Sequence, residues 1–434
     1  MTKILAALLC ALVAAIPASA QLTRPERAMV QAVDREQERT IAFLDRMVNQ
    51  NSGSLNLTGV EAVAQIVRAE FEPLGFTVRW VPMRETGRAG HLIATHKGNG
   101  RGKRMLLIGH LDTVFEPDSP FQRFERQGDR ATGPGVGDDK GGIAVILAAV
   151  RAMHAAGTLK NADIQVVLTG DEERTGSPVE VARRDLIAAG RWADVALEFE
   201  GLATENGKDF GTVARRSSTN WTLKTSGRTG HSSGIFGQSL GYGAIYEMAR
   251  ILDTFRRELP EPNLTYNVGV IGGGTPASID EQGLRVAASG KTNIVAETAI
   301  ARGDLRTLTE EQDARIRARM NEIVRAHLPG TRAELQFFES YPPMEPTEGN
   351  RKLLARLNEV NRDLGLPQMQ EYDPARRGAA DSSFVAKDVD TLAGLGTAGG
   401  GAHAEGEWID LTSIARQAKR VAILMARFAT ERRN

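Results

Sequence analysis

Apolar runs of strand length alternate with longer helical patterns over the first half of the chain. Residues 76–81, 91–96, 105–108, 164–169 and 195–199 are continuous or alternating apolar stretches, bounded by turn residues. Around them, 27–50 (with Val33, Ile41, Leu44 and Met47), 58–74, 141–156 and 179–189 carry apolar positions at helical spacing. Strands alternating with helices predict an α/β domain on a doubly wound, mostly parallel sheet. After Gly211 the texture changes. Strands at 212–225, 263–271 and 296–305 and helices at 240–257 and 309–327 give the first five elements of a β-α-β-β-α-β order, compact enough for a ferredoxin-like α+β domain. From about Leu335 the first texture returns, with a strand, a helix at 350–364, glycine-rich loops and a last helix over 411–428. The expected organisation is one discontinuous α/β domain, 21–213 and 329–434, with a second domain inserted at 214–328.

A chain of 434 residues is too long for one ordinary core, in keeping with two domains. Its formal net charge of zero gives no support to nucleic-acid binding or to a basic membrane-surface role. The N-terminus adds more. Lys3 precedes an apolar run over 4–16, and Ala18-Ser19-Ala20 follows. This is the pattern of a cleavable secretory signal, with cleavage after Ala20 and a mature chain starting at Gln21. The run is too short to span a membrane. The expected location is periplasmic or secreted, with no membrane attachment after cleavage. Cys10 is the only cysteine and lies inside the signal, and Leu9 before it is not the small residue of a lipoprotein site. The mature chain then has no disulfide and no thiolate ligand, so any metal must be held by His, Asp and Glu.

Such residues gather at the strand ends. The run 105–108 leads into His110-Leu111-Asp112, whose first and third side chains share one face of an extended chain. A glycine-rich loop carries Asp138 and Asp139 into the helix at 141–156. The strand at 164–169 ends in Gly170-Asp171-Glu172-Glu173, and the strand at 195–199 places Glu198 and Glu200 at its end. Late in the chain, Gly399-Gly400-Gly401-Ala402-His403 adds a second imidazole. Open α/β sheets bind ligands outside the carboxyl ends of their strands. Alone, each motif is an ordinary surface pair, helix start or turn; together they gather on one rim. Imidazole and carboxylate donors suit zinc and similar divalent ions. Three carboxylates and a hydroxide balance two such ions, which leaves a further carboxylate free as general base.

With these motifs in hand, the chain resembles the M20 family of co-catalytic dinuclear zinc metallopeptidases, on its glutamate carboxypeptidase-like branch. The resemblance rests on Gly109-His110-Leu111-Asp112-Thr113-Val114, on the loop from Gly133 to Gly142, on Thr169-Gly170-Asp171-Glu172-Glu173 with Gly176-Ser177, and on the late His403. It implies two Zn²⁺ per subunit, replaceable by Co²⁺ or Mn²⁺. His110 binds one metal and Asp112 orients it. Asp138, the acid two before Lys140, bridges the metals, with Asp139 as the alternative. Glu173 and His403 hold the other metal. Glu200 completes the site of His110, with Glu198 as the alternative, and Glu172 is the general base.

The resemblance extends to the inserted domain, which it casts as a lid or dimerisation domain. Gly227-Arg228-Thr229-Gly230-His231 resembles a loop whose His reaches an active site, commonly that of the partner subunit, and stabilises an oxyanion. This implies a homodimer or a mobile lid. Asn293 and Arg306 match residues near the substrate, although Ala296 stands where the family has Pro. Lys208 sits where glutamate carboxypeptidases use a Lys for substrate. The Arg those enzymes place around Tyr341-Pro342-Pro343 has no counterpart here. The implied reaction is cleavage of an amide bond in a peptide or N-acyl amino acid by a metal-bridged water that Glu172 deprotonates. Carboxypeptidase, dipeptidase and aminoacylase remain open as its form. Two other classes compete. Gly230-His231-Ser232-Ser233-Gly234 fits the nucleophile elbow of serine hydrolases, with Ser232 as nucleophile. A non-catalytic binding protein could keep the fold, but it has no need of both Glu172 and a complete ligand set.

Overall fold

The computed structural model describes residues 22–280 and 283–433. The expected signal at 1–20, with Cys10, and Gln21 lie outside the described residues. Strands β1 (Thr77–Pro82), β2 (Gly90–His96), β3 (Arg104–His110), β4 (Asp163–Thr169) and β5 (Val195–Glu198) lie in the order β1-β2-β4-β3-β5, with the short strand Thr391–Leu392 beside β5. The pairings β4–β3, β3–β5 and that of Thr391–Leu392 with β5 are parallel, and the two at the β1 edge are antiparallel. The sheet is thus mostly parallel, as the alternation of strands and helices predicts.

Helices cover both faces. On one lie α1 (Arg24–Arg35), α2 (Gln37–Val48), α3 (Leu57–Phe71) and α4 (Lys140–Ala155); α5 (Arg184–Trp192) lies on the other. Buried on almost every side, α4 packs against α1 and α2, which accounts for its uniformly apolar sequence. Two expected helices are interrupted. The pattern at 27–50 breaks at Glu36, inside the polar run 34–39, where no apolar side chain anchors the turn. The pattern at 179–189 breaks at Arg183, whose guanidinium is drawn into the protein interior by Asp171 and Asp381.

The second sheet is fully antiparallel. Its strands β6 (Ser218–Gly227), β7 (Thr265–Gly274), β8 (Thr298–Arg306) and β9 (Thr331–Tyr341) lie in the order β7-β8-β6-β9. Helices α6 (Gly243–Glu258) and α7 (Glu310–Arg325) cover it with a core of their own around Trp221, Met248 and Met320. This is the ferredoxin-like arrangement. One boundary differs from the sequence reading. The strand expected to rejoin the first domain near Leu335 pairs with β6 from Gly227↔Thr331 to Ser218↔Tyr341. The inserted unit therefore runs on to Tyr341 rather than ending at 328. Alternation explains the register: Ala333, Leu335 and Phe337 turn to the inserted core, and the residues between them face outward. Helices α8 (Glu348–Asp363) and α9 (Thr412–Phe428) then return to the first core.

Candidate active site

Parallel pairing sets the strand ends level. His110 of β3 stands beside Thr169 of β4, and Ile108 beside Glu198 of β5. The loops leaving these ends therefore meet. Beyond β5, the first turn of α4 approaches so closely that a Cβ on Gly142 would lie 2.0 Å from the Phe199 carbonyl oxygen. Only glycine fits there.

His110 is buried, and its Nδ1 lies 3.0 Å from the carbonyl oxygen of Asp112. That contact makes Nδ1 the protonated nitrogen and leaves the Nε2 lone pair for the cavity. Nε2 lies 3.0 Å from Asp138 Oδ1, and His403 Nε2 lies 3.1 Å from Asp138 Oδ2 and 3.0 Å from Glu173 Oε2. Asp138 thus sits between the two imidazoles. Donor atoms of His110, Asp138 and Glu173 form one cluster tight enough for a metal ion, and those of His110, Glu172 and Glu200 form another. The alternatives point elsewhere. Asp139 Oδ2 accepts from the His110 backbone N–H, and both oxygens of Glu198 accept from Arg215.

The carboxylate of Asp112 braces the loop beside it. It accepts from Ser54 Oγ at 2.6 Å and from the backbone N–H groups of Glu172 and Glu173 at 3.0 and 3.1 Å. Four residues of the surroundings carry no signal in the sequence reading. Glu407 accepts from the N–H groups of Gly135, Gly137 and Asp138, so the loop of His403 holds the loop of Asp138. Arg215, fully buried, donates to Glu200 Oε2 at 2.8 Å. Arg377 lines the cavity and donates to the Gly201 carbonyl, while its Nε has no partner. Tyr341 donates to the Glu172 carbonyl at 2.8 Å. His403 itself stands at φ +63°, a left-handed conformation that a non-glycine residue holds only where its surroundings impose it.

The cavity of about 350 Å³ is lined by Asp138, Glu172, Glu200, Arg215, Arg377 and His403. A wider cleft between the two units continues from it past Glu173, Asn220, Arg306 and Phe338. Arg306, which pairs with Asp304 at 3.0 Å, is the one predicted substrate residue that this chain brings near the site. Lys208 does not line the cavity but lies in an adjoining groove with Phe210, Trp408 and Arg416, bordered on the cavity side by Trp408. Asn293 is exposed in a turn of the inserted unit, and His231 is exposed with its Nδ1 2.9 Å from Ser233 Oγ. Neither lines the cavity or the cleft. Ser232 opens a single turn, Ser232–Gly234, in the inserted unit rather than a strand-to-helix elbow of the main sheet.

The electrostatics fit cations. Burial and the charge of Glu200 raise the pKa of Glu172 well above the carboxylate range. Burial, with Glu198 adding to it and Arg215 opposing it, pushes Glu200 up to about 8. Burial also raises Glu173. Hydrogen bonds to Asp138 and Glu173 carry His403 up to about 11. His110 rises well above its usual value because bonds to Asp112 and Asp138 outweigh its burial. The same bonds from the imidazoles hold Asp138 low despite burial. Carboxylates crowded so closely need positive charge. Two histidines and several carboxylates, with no thiolate, suit divalent ions of borderline to hard character.

Comparison with known proteins agrees with this geometry. Residues 106–427 match the family model described as Peptidase family M20/M25/M40. Carboxypeptidase G2 of Pseudomonas sp. (strain RS-16) is 28% identical over 425 residues, covering 96% of this chain and 95% of the relative. Succinyl-diaminopimelate desuccinylase of Novosphingobium aromaticivorans is 30% identical over 284 residues, covering 63% and 70%. Among solved structures, a Bacillus subtilis dinuclear metal binding peptidase of the M20 family superposes with a TM-score of 0.64 at 15% identity, covering 91% of this chain and 99% of that one.

Proposed function

The chain belongs to peptidase family M20/M25/M40 and is a metal-dependent hydrolase of peptide or amide bonds, and within that class we propose a zinc enzyme that removes the C-terminal residue of small peptides. The observation that supports this reading is the placement of Asp138 between His110 and His403, with Glu173 against His403 and Glu200 clustered with His110.

In this reading His110 and Glu200 would hold one Zn²⁺ and Glu173 and His403 a second, with Asp138 placed within reach of both imidazoles. Bound divalent ions activate water and polarise a carbonyl. The chain supplies the rest. Glu172 takes a proton on its carboxylate from the attacking water and passes it to the nitrogen of the leaving amine. Asp112 fixes the tautomer of His110 through its carbonyl and the loop of Glu172 through its carboxylate. Arg215 holds Glu200 in place. Arg377, which lines the cavity, offers its guanidinium to a substrate carboxylate.

Activity on N-acyl amino acids is the second reading, and the 30% identity to a desuccinylase favours it. A panel of dipeptides, N-acyl amino acids and their C-terminal amides tests both. Cleavage of free-acid substrates at least about tenfold above their amides is expected, as a charge-assisted bond implies. Equal cleavage of acids and amides would remove the carboxylate requirement.

We further propose a periplasmic or secreted homodimer. The signal pattern at 1–20 supports the location. Exposed Phe236, Ile245, Tyr246 and Ile271 on the inserted unit support self-association, which would also give His231 an active site to reach. N-terminal sequencing that finds Gln21, and a dimer mass on sedimentation, are the matching results; a monomer that is fully active removes the cross-subunit role of His231.

A further inference from the structure

The backbone of Glu172 is held on both sides of its Cα. Its N–H donates to Asp112 Oδ1 at 3.0 Å, and its carbonyl accepts from the Tyr341 hydroxyl at 2.8 Å. Tyr341 is buried, with its ring centroid 5.0 Å from that of Phe384. Arg183 Nη2 donates to the same hydroxyl at 3.0 Å, and Thr175 Oγ1 lies 3.1 Å away. A guanidinium can only donate. Arg183 therefore occupies a lone pair of Tyr341, and the hydroxyl proton is left for the Glu172 carbonyl, its shortest contact.

Arg183 is fixed in turn. Its Nε donates to Asp381 Oδ1 at 2.8 Å, and its Nη1 to Asp171 Oδ1 at 2.5 Å. The other oxygen of Asp381 accepts from Thr169 Oγ1, at the end of β4. All these side chains are buried. A hydrogen-bonded frame thus runs from the main sheet through Asp381 and Arg183 to Tyr341, and ends on the Glu172 backbone. Tyr341 is also the last residue of β9, the strand that leaves the inserted sheet.

We propose that Tyr341 is a positioning residue for Glu172: its hydroxyl fixes the peptide beneath the carboxylate and ties the placement of that peptide to the inserted sheet. The inference rests on the reading of Glu172 as general base. A restraint on the backbone leaves the side-chain torsions of Glu172 free. The carboxylate can then turn between water and leaving nitrogen while its Cα stays fixed. A displacement of about 1 Å at such a group costs up to about 100-fold in rate.

Tyr341→Phe removes one oxygen and keeps the ring against Phe384. With the metal-loaded protein, kcat is expected to fall about 10- to 100-fold, with KM within about twofold of the parent and metal content unchanged. The double variant Tyr341→Phe/Glu172→Gln separates positioning from general loosening of the fold. If Tyr341 acts through Glu172, the double variant is no slower than Glu172→Gln alone. A Tyr341→Phe enzyme with parental kcat overturns the proposal, and so does a slowdown that multiplies in full onto Glu172→Gln. If Glu172→Gln alone keeps normal turnover, the base assignment fails instead, whatever Tyr341→Phe does.

Discussion

Glu172→Gln is expected to lower kcat by about 10²- to 10⁴-fold while leaving KM and metal content nearly unchanged. The amide matches the carboxylate in shape but takes up no proton at neutral pH. The test has a built-in competitor, because a Glu172 oxygen lies close enough to His110 and Glu200 to serve as a ligand. Loss of a ligand empties a metal site, whereas loss of a base does not. Steady-state kinetics and metal analysis on one preparation therefore separate the two. Normal turnover contradicts the base role, and a missing ion reassigns Glu172 to the ligand set.

Arg183→Met is expected to destabilise the protein by about 3–5 kcal/mol, a large share of the stability of an ordinary domain. Arg183 is fully buried and bridges Asp171 and Asp381, both of them buried. Methionine fills much of the same space but leaves two carboxylates without their cation. The penalty comes from those stranded charges rather than from lost packing. Denaturant unfolding of parent and variant, both stripped of metal, measures it. A difference under about 1 kcal/mol, the range of an exposed ion pair, would contradict the account.

Three of the groups proposed for the chemistry were legible in the sequence because each is polar and follows an apolar strand, and Asp138 and His403 were legible from the glycine-rich loops that carry them. His110 follows 105–108, Glu172 follows 164–169 and Glu200 follows 195–199, and parallel pairing makes those ends meet. The residues that hold them were not legible. Arg183, Arg215, Tyr341 and Glu407 sit in segments whose local pattern reads as helix, strand or loop, and each has a partner beyond the reach of that pattern. No periodicity marks a side chain whose role is fixed by long-range closure.

The inserted unit gave a mixed result for a related reason. Its elements were readable from alternation, but its last strand looked local to the first domain until pairing with β6 placed it. His231 and Asn293 carry motif resemblance, yet in one chain they stand apart from the cavity. Motifs in the main domain are constrained by the strand ends that bear them. Those in the inserted unit depend on how one unit meets another, which a linear pattern does not encode.

The central claim is that the cluster around Asp138 works by holding two divalent ions. The most direct measurement is hydrolysis of the best panel substrate by the mature protein as isolated, after exhaustive chelation and after stepwise return of zinc, with bound metal counted at each step. The account predicts that chelation abolishes turnover and that activity returns as two zinc ions bind per chain. Turnover that is indifferent to chelation, in a protein shown to contain no metal, would contradict it and direct attention to Ser232.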